Sequence, residues 1–76
     1  MARPVNPALG AALQQLRVEQ GLSQTELAQR ASVHVTVISN IERGQRSPVW
    51  ATVEALIDGL GVTYTELGQA LDAQLS

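Results

Sequence analysis

Ser23-Gln24-Thr25-Glu26-Leu27-Ala28-Gln29-Arg30-Ala31-Ser32-Val33-His34-Val35-Thr36-Val37-Ile38-Ser39-Asn40-Ile41-Glu42-Arg43-Gly44 is the stretch on which the reading of this chain turns. Its first four residues form a capping box. The Ser23 hydroxyl can accept from the Glu26 backbone N–H while the Glu26 side chain reaches back to Ser23. A short helix to about Ala31 follows, with Leu27, Ala28 and Ala31 turned inward. Ser32-Val33-His34 is a tight turn, and a second short helix runs from about Val35 to Arg43 and stops at Gly44. Val33, Val35, Thr36, Val37 and Ile38 are β-branched and suit a strand. The helix is nevertheless expected, because Ile38 and Ile41 sit three apart, Glu42-Arg43-Gly44 reads as a helix end, and no other segment offers a strand to pair with. Helices this short are not stable alone, so neighbours must hold them. Ala28 is small enough to let the pair approach. With Ile38 and Ile41 at the back, Val35, Thr36, Ser39, Asn40 and Arg43 fall on the opposite side.

The flanks supply those neighbours. Asn6-Pro7 reads as a helix start, with proline at the first helical position. Leu9, Leu13, Leu16 and Gln20 line one face beside Ala12, Gly21 ends the helix, and Leu22 is buried in the connection. Ser47-Pro48 is expected to open a fourth helix carrying Val49, Val53, Leu56, Ile57 and Leu60 before Gly61. Thr63-Tyr64-Thr65-Glu66 is a second capping box, leading a fifth helix with Leu67, Leu71 and Leu75 at i, i+4 and i+8. The expected fold is all-α with five helices: one domain over residues 7–76 behind an N-terminal arm of residues 1–6.

Composition narrows the function. Seventy-six residues make one domain with a thin core, so a second subunit is expected to add burial. Without cysteine there is no disulfide framework and no thiolate metal site, which fits a reducing cytoplasm. No apolar run reaches membrane-spanning length and no signal peptide is visible, so a cytoplasmic protein is expected. No glycine-rich phosphate loop, paired-carboxylate pocket or Ser–His–Asp constellation can be assembled around the single histidine, His34, so neither an enzyme nor a metal or cofactor is expected. His34 itself reads as a turn residue. The formal charge of −2 is unevenly spread. Residues 1–50 hold Arg3, Arg17, Arg30, Arg43 and Arg46 against Glu19, Glu26 and Glu42. Residues 51–76 hold Glu54, Asp58, Glu66 and Asp72 and no basic residue. The positive part is the part with the paired short helices, whose protruding polar face has the width of a DNA major groove. All five basic residues are arginine, and so few imply weak non-specific DNA affinity with a shallow salt dependence.

Leu16-Arg17, Gly21-Leu22-Ser23-Gln24, Glu26-Leu27-Ala28, Ile38-Ser39, Ile41-Glu42-Arg43-Gly44, Ser47-Pro48 and Leu60-Gly61-Val62 together resemble the Cro/C1-type (XRE) helix-turn-helix family, over residues 9–67. The resemblance implies a lambda-repressor-like DNA-binding domain with its helix-turn-helix at 24–43. The size also resembles the controller proteins of restriction–modification systems, which phage Cro-like repressors and antitoxins share. The implied partner is double-stranded DNA, read by a recognition helix of about 35–43, and the implied role is a transcriptional regulator or repressor.

Carried over by position, Val35, Thr36, Ser39 and Asn40 are the residues that meet base edges. Gln24, Arg43 and Arg46 are phosphate contacts, the first helped by its backbone N–H at a helix N-terminus. Arg17 and Glu42 are an internal salt bridge between the first and third helices. This chain departs from the family at three places. Ser32 stands for a turn glycine, His34 for a capping Ser or Asp, and Val35 for a long polar reader. A valine can meet only a thymine methyl, so shape and methyl contacts are expected to carry more of the readout. A homodimer on a palindromic operator is expected, its interface drawn from Trp50, Leu67, Leu71 and Leu75. No effector domain and no small-molecule effector are expected. The acidic C-terminal third motivates the competing reading, a protein-interaction module such as an antitoxin or the docking partner of another regulator.

Overall fold

A computed structural model describes residues 7–76; the expected arm of residues 1–6, with Arg3 and the capping residue Asn6, lies outside the described residues. Five helices run in chain order: α1 Pro7–Glu19, α2 Gln24–Ala31, α3 Val35–Glu42, α4 Trp50–Leu60 and α5 Tyr64–Leu75. There is no strand among the described residues. α1 packs against α3 and α5, and α2 packs against α3 and α4. The shared core is aliphatic, with Leu27, Ile38, Ile41, Leu56 and Leu60 as its most enclosed large side chains. None of these helices is long and apolar enough to cross a membrane.

Both capping boxes form. The Glu26 N–H donates to Ser23 Oγ at 3.0 Å and the Ser23 N–H to Glu26 Oε1 at 3.0 Å. At α5 the Glu66 N–H donates to Thr63 Oγ1 at 3.1 Å and the Thr63 N–H to Glu66 Oε1 at 3.0 Å. Four helices end with one device, a residue of positive φ followed by an N–H that reaches back five residues. Gly21, Gly44 and Gly61 serve α1, α3 and α4. At the end of α2 the same place is held by Ser32, at φ 56° and ψ 41°. The Val33 N–H still closes onto the Ala28 carbonyl at 3.0 Å, so the turn keeps its shape although serine occupies a region that glycine enters without cost.

α3 is helical in spite of its β-branched run. Burial decides, because only a helix brings both Ile38 and Ile41 into the core. Val35 and Val37 are half-buried against the same core. α4 corrects the sequence reading. It begins at Trp50, two residues after the expected proline start, with Val49 as an N-cap that makes no side-chain capping bond. Val49 is exposed, so extending the helix back to Pro48 would bury nothing, and the first buried residue is Val53.

Candidate nucleic-acid interface

The second and third helices form the expected pair, and one polar network holds them to α1. Arg17 Nε donates to Glu42 Oε2 at 2.6 Å and Nη2 to Glu42 Oε1 at 2.9 Å, a two-pronged ion pair. Arg17 Nη1 donates to the Leu22 carbonyl at 2.7 Å. The side chains are only 12% and 3% exposed. The hydrogen bond it donates to Glu42 raises the Arg17 pKa above its ordinary value, outweighing the opposing effect of burial. This pairing of α1 with α3 is the one the resemblance implied. Gln24 enters the same network, its Nε2 donating to Glu42 Oε1 at 2.9 Å. The first residue of α2 is therefore tied to the last residue of α3, and one N–H of the Gln24 amide is committed inside the protein.

The outer side of α3 carries Thr36, which is exposed, and Ser39 and Asn40, which are half-exposed. Arg43 and Arg46 are exposed just past the helix end. Val35 does not stand clear with them. Its side chain leans on the core, so its apolar surface is shared between packing and the outer face. His34 supplies a feature the sequence reading missed. Its Nδ1 accepts from the Thr36 N–H at 3.1 Å, so the imidazole does the capping work of the expected Ser or Asp. Arg43 Nη2 also donates to Asn40 Oδ1 at 2.6 Å, across one turn of helix.

Gly10 was missed altogether. A Cβ built on it would lie 2.1 Å from the backbone oxygen of Ile41. α1 thus rests its backbone directly on the C-terminal turn of α3, and only glycine permits that approach.

The expected dimer residues divide. Leu67 is a correction: at 7% exposure it belongs to the core. Leu71 is half-buried against the core. Trp50 and Leu75 are exposed at 63% and 71%. The Trp50 ring stacks on Tyr64, centroids 5.5 Å apart and planes within 20°, which puts an aromatic plate at the adjoining starts of α4 and α5.

The family model described as a helix-turn-helix domain matches residues 8–70. The chain belongs to the helix-turn-helix domain family. This helix-turn-helix chain is 37% identical over 59 residues to the uncharacterized HTH-type transcriptional regulator y4dJ of Sinorhizobium fredii, covering 78% of this chain and 77% of that protein. It is 32% identical over 60 residues to the HTH-type transcriptional regulator DdrOP3 of Deinococcus deserti, covering 79% of this chain and 46% of that longer protein. Among solved structures it is similar to the wild-type restriction–modification controller protein C.Esp1396I, with a TM-score of 0.86 at 26% identity over 91% of each chain. The same controller protein bound to a 19 base pair DNA duplex superposes with a TM-score of 0.86 at 26% identity, covering 92% of this chain and 93% of that one. Its tetramer on a natural 35 base pair operator gives 0.85 at 26% identity over 91% of each chain. The Cro/C1-type resemblance and the five-helix fold are both upheld.

Proposed function

We propose that this protein is a sequence-specific DNA-binding transcriptional regulator whose α3 enters the major groove. The observation that carries the reading is the outer face of α3. Thr36, Ser39 and Asn40 stand together with Arg43 beside them, on a helix fixed by the Arg17–Glu42 pair and the His34 cap. Thr36, Ser39 and Asn40 meet base edges, and the outer part of Val35 packs on a thymine methyl. Arg43 and Arg46 meet phosphates, joined by the start of α2, where the Gln24 backbone N–H and its remaining amide N–H face the anion. The similar controller protein with its DNA duplex supports this docking.

The protein acts as a homodimer on a palindromic operator. Two copies set recognition helices one DNA turn, about 34 Å, apart. The interface is built around Trp50 and Leu75, with Val49 and Tyr64 beside Trp50 and Leu71 at its edge. Pairing two weak sites through such an interface raises affinity without new base contacts. The protein is a cytoplasmic regulator and not an enzyme.

Selection of bound sequences from random DNA tests the reading. An inverted-repeat motif is expected with the wild type. A Ser39→Ala/Asn40→Ala double variant is expected to lose selectivity while keeping its fold, since each good base contact is worth about 1–3 kcal/mol of discrimination. A double variant that keeps full selective binding removes the face from the readout. Saturable binding to a protein partner with no DNA selectivity would favour the interaction-module reading instead.

A further inference from the structure

The Arg43–Asn40 contact has a consequence for which base Asn40 reads. A free asparagine amide presents one acceptor and two donors, and that mixed edge matches adenine, which shows the N7 acceptor beside the N6 amino donor. Here the amide is not free. Arg43 Nη2 donates to Asn40 Oδ1 at 2.6 Å, a short charge-assisted bond made one helical turn further along α3. One of the two lone pairs of that oxygen is given to a guanidinium, so any second donor at Oδ1 has to fit beside the Arg43 cation. The amide nitrogen keeps two N–H donors that make no hydrogen bond among the described residues. The remaining N–H groups of Arg43 stay available for a phosphate, so the same guanidinium can hold the backbone and fix the reader.

We infer that Arg43 biases Asn40 toward reading through its N–H donors, so that the base facing it is one whose major-groove edge offers acceptors: guanine first, through O6 and N7. Adenine would turn its N6 amino donor toward the amide N–H and be disfavoured, and cytosine would do so through N4. Thymine offers O4 alone and ranks second. The inference rests on the proposal that the outer face of α3 reads DNA, and it adds a specificity-determining role for a residue assigned there only to the backbone.

The test uses the duplex recovered by selection, with each base pair varied in turn, and compares binding of four proteins at low salt, where backbone affinity is greatest. The position whose preference vanishes in Asn40→Ala identifies the base facing Asn40. At that position the wild type is expected to favour guanine over adenine roughly tenfold. Arg43→Met, which releases Oδ1, should bring adenine level with guanine or above it while weakening all duplexes together. Arg46→Ala should weaken all duplexes and change no preference. A wild-type preference for adenine at that position overturns the inference, as does an unchanged preference in Arg43→Met. So does an Asn40→Ala variant that alters no position of an otherwise intact motif. In each of these cases selective binding persists and the regulator reading stands. A wild type that selects no motif at all removes the regulator reading itself.

Discussion

Replacing Gly10 by alanine should destabilise the protein, although alanine is the better helix former. The added Cβ would sit 2.1 Å from the Ile41 carbonyl oxygen, and that oxygen belongs to backbone in the last turn of α3. A relaxed carbon–oxygen contact is about 3.3 Å, so the two helices must part by about 1.2 Å. Ile41 is among the most enclosed side chains in the core, which leaves little slack for that movement. Overpacking of this kind costs about 1–3 kcal/mol and can exceed it where backbone must move. The gain in helix propensity returns about 1 kcal/mol. Because backbone has to move here, the cost is taken from the upper part of that range, about 2–3 kcal/mol, and a net loss of about 1–2 kcal/mol is expected, which lowers the thermal midpoint of a domain this size by about 5–15 °C. Gly68 provides the control. It lies inside α5 with nothing within 4 Å of a built Cβ, so Gly68→Ala should stabilise by about 0.5–1 kcal/mol. The assay is thermal unfolding followed by circular dichroism, with DNA affinity measured below the transition. Gly10→Ala should also bind DNA more weakly, because the displaced helix is the one proposed to read it. A Gly10→Ala protein as stable as the wild type, or more stable, refutes the claim that α1 and α3 touch through their backbones.

Three further outcomes follow from the fold. Ser32→Gly should raise stability by about 0.5–1 kcal/mol in chemical denaturation, since it removes a left-handed serine and returns part of the gain to unfolded-chain entropy. Arg17→Met should cost about 3–5 kcal/mol by the same measurement, because it leaves the Glu42 carboxylate buried with only Gln24 to meet it. Acid should weaken α2 through Glu26, whose pKa is held below the ordinary carboxylate value by its hydrogen bonds to the Ser23 N–H and hydroxyl. The native state then binds fewer protons than the unfolded chain. The contribution is complete above the unfolded pKa and is lost as pH falls through the folded one. A Glu26→Gln variant should show a flatter loss of stability over that acidic window.

Much of the fold was legible because its signals are local. Ser23/Glu26 and Thr63/Glu66 announce helix starts by chemistry confined to four residues, and both form as read. The Ile38/Ile41 spacing outweighed a β-branched run because tertiary burial overrides propensity. The same logic undid the Ser47-Pro48 start, where a local signal had no buried face behind it. Leu67, Leu71 and Leu75 look like one stripe in sequence, yet at 3.6 residues per turn each step of four drifts by about 40°. The stripe therefore turns from core at Leu67, through a half-buried Leu71, to solvent at Leu75. The site was legible in its residue types and much less in its couplings. Gly10 meets Ile41 across 31 positions, and nothing near Gly10 in the chain betrays that contact. Arg43–Asn40 lies within reach of an i, i+3 reading, but which donor meets which acceptor depends on rotamers that sequence does not fix.

The claim on which all of this depends is that the outer side of α3 is the surface that meets DNA. The most direct measurement is a titration of isotope-labelled protein with its selected duplex, followed by backbone amide chemical shifts. The largest changes are expected at Gln24 and across 34–46, strongest at Thr36, Ser39 and Asn40, with small ones along α5. Changes concentrated on α5 or the Trp50–Tyr64 plate, with α3 unmoved, would contradict it.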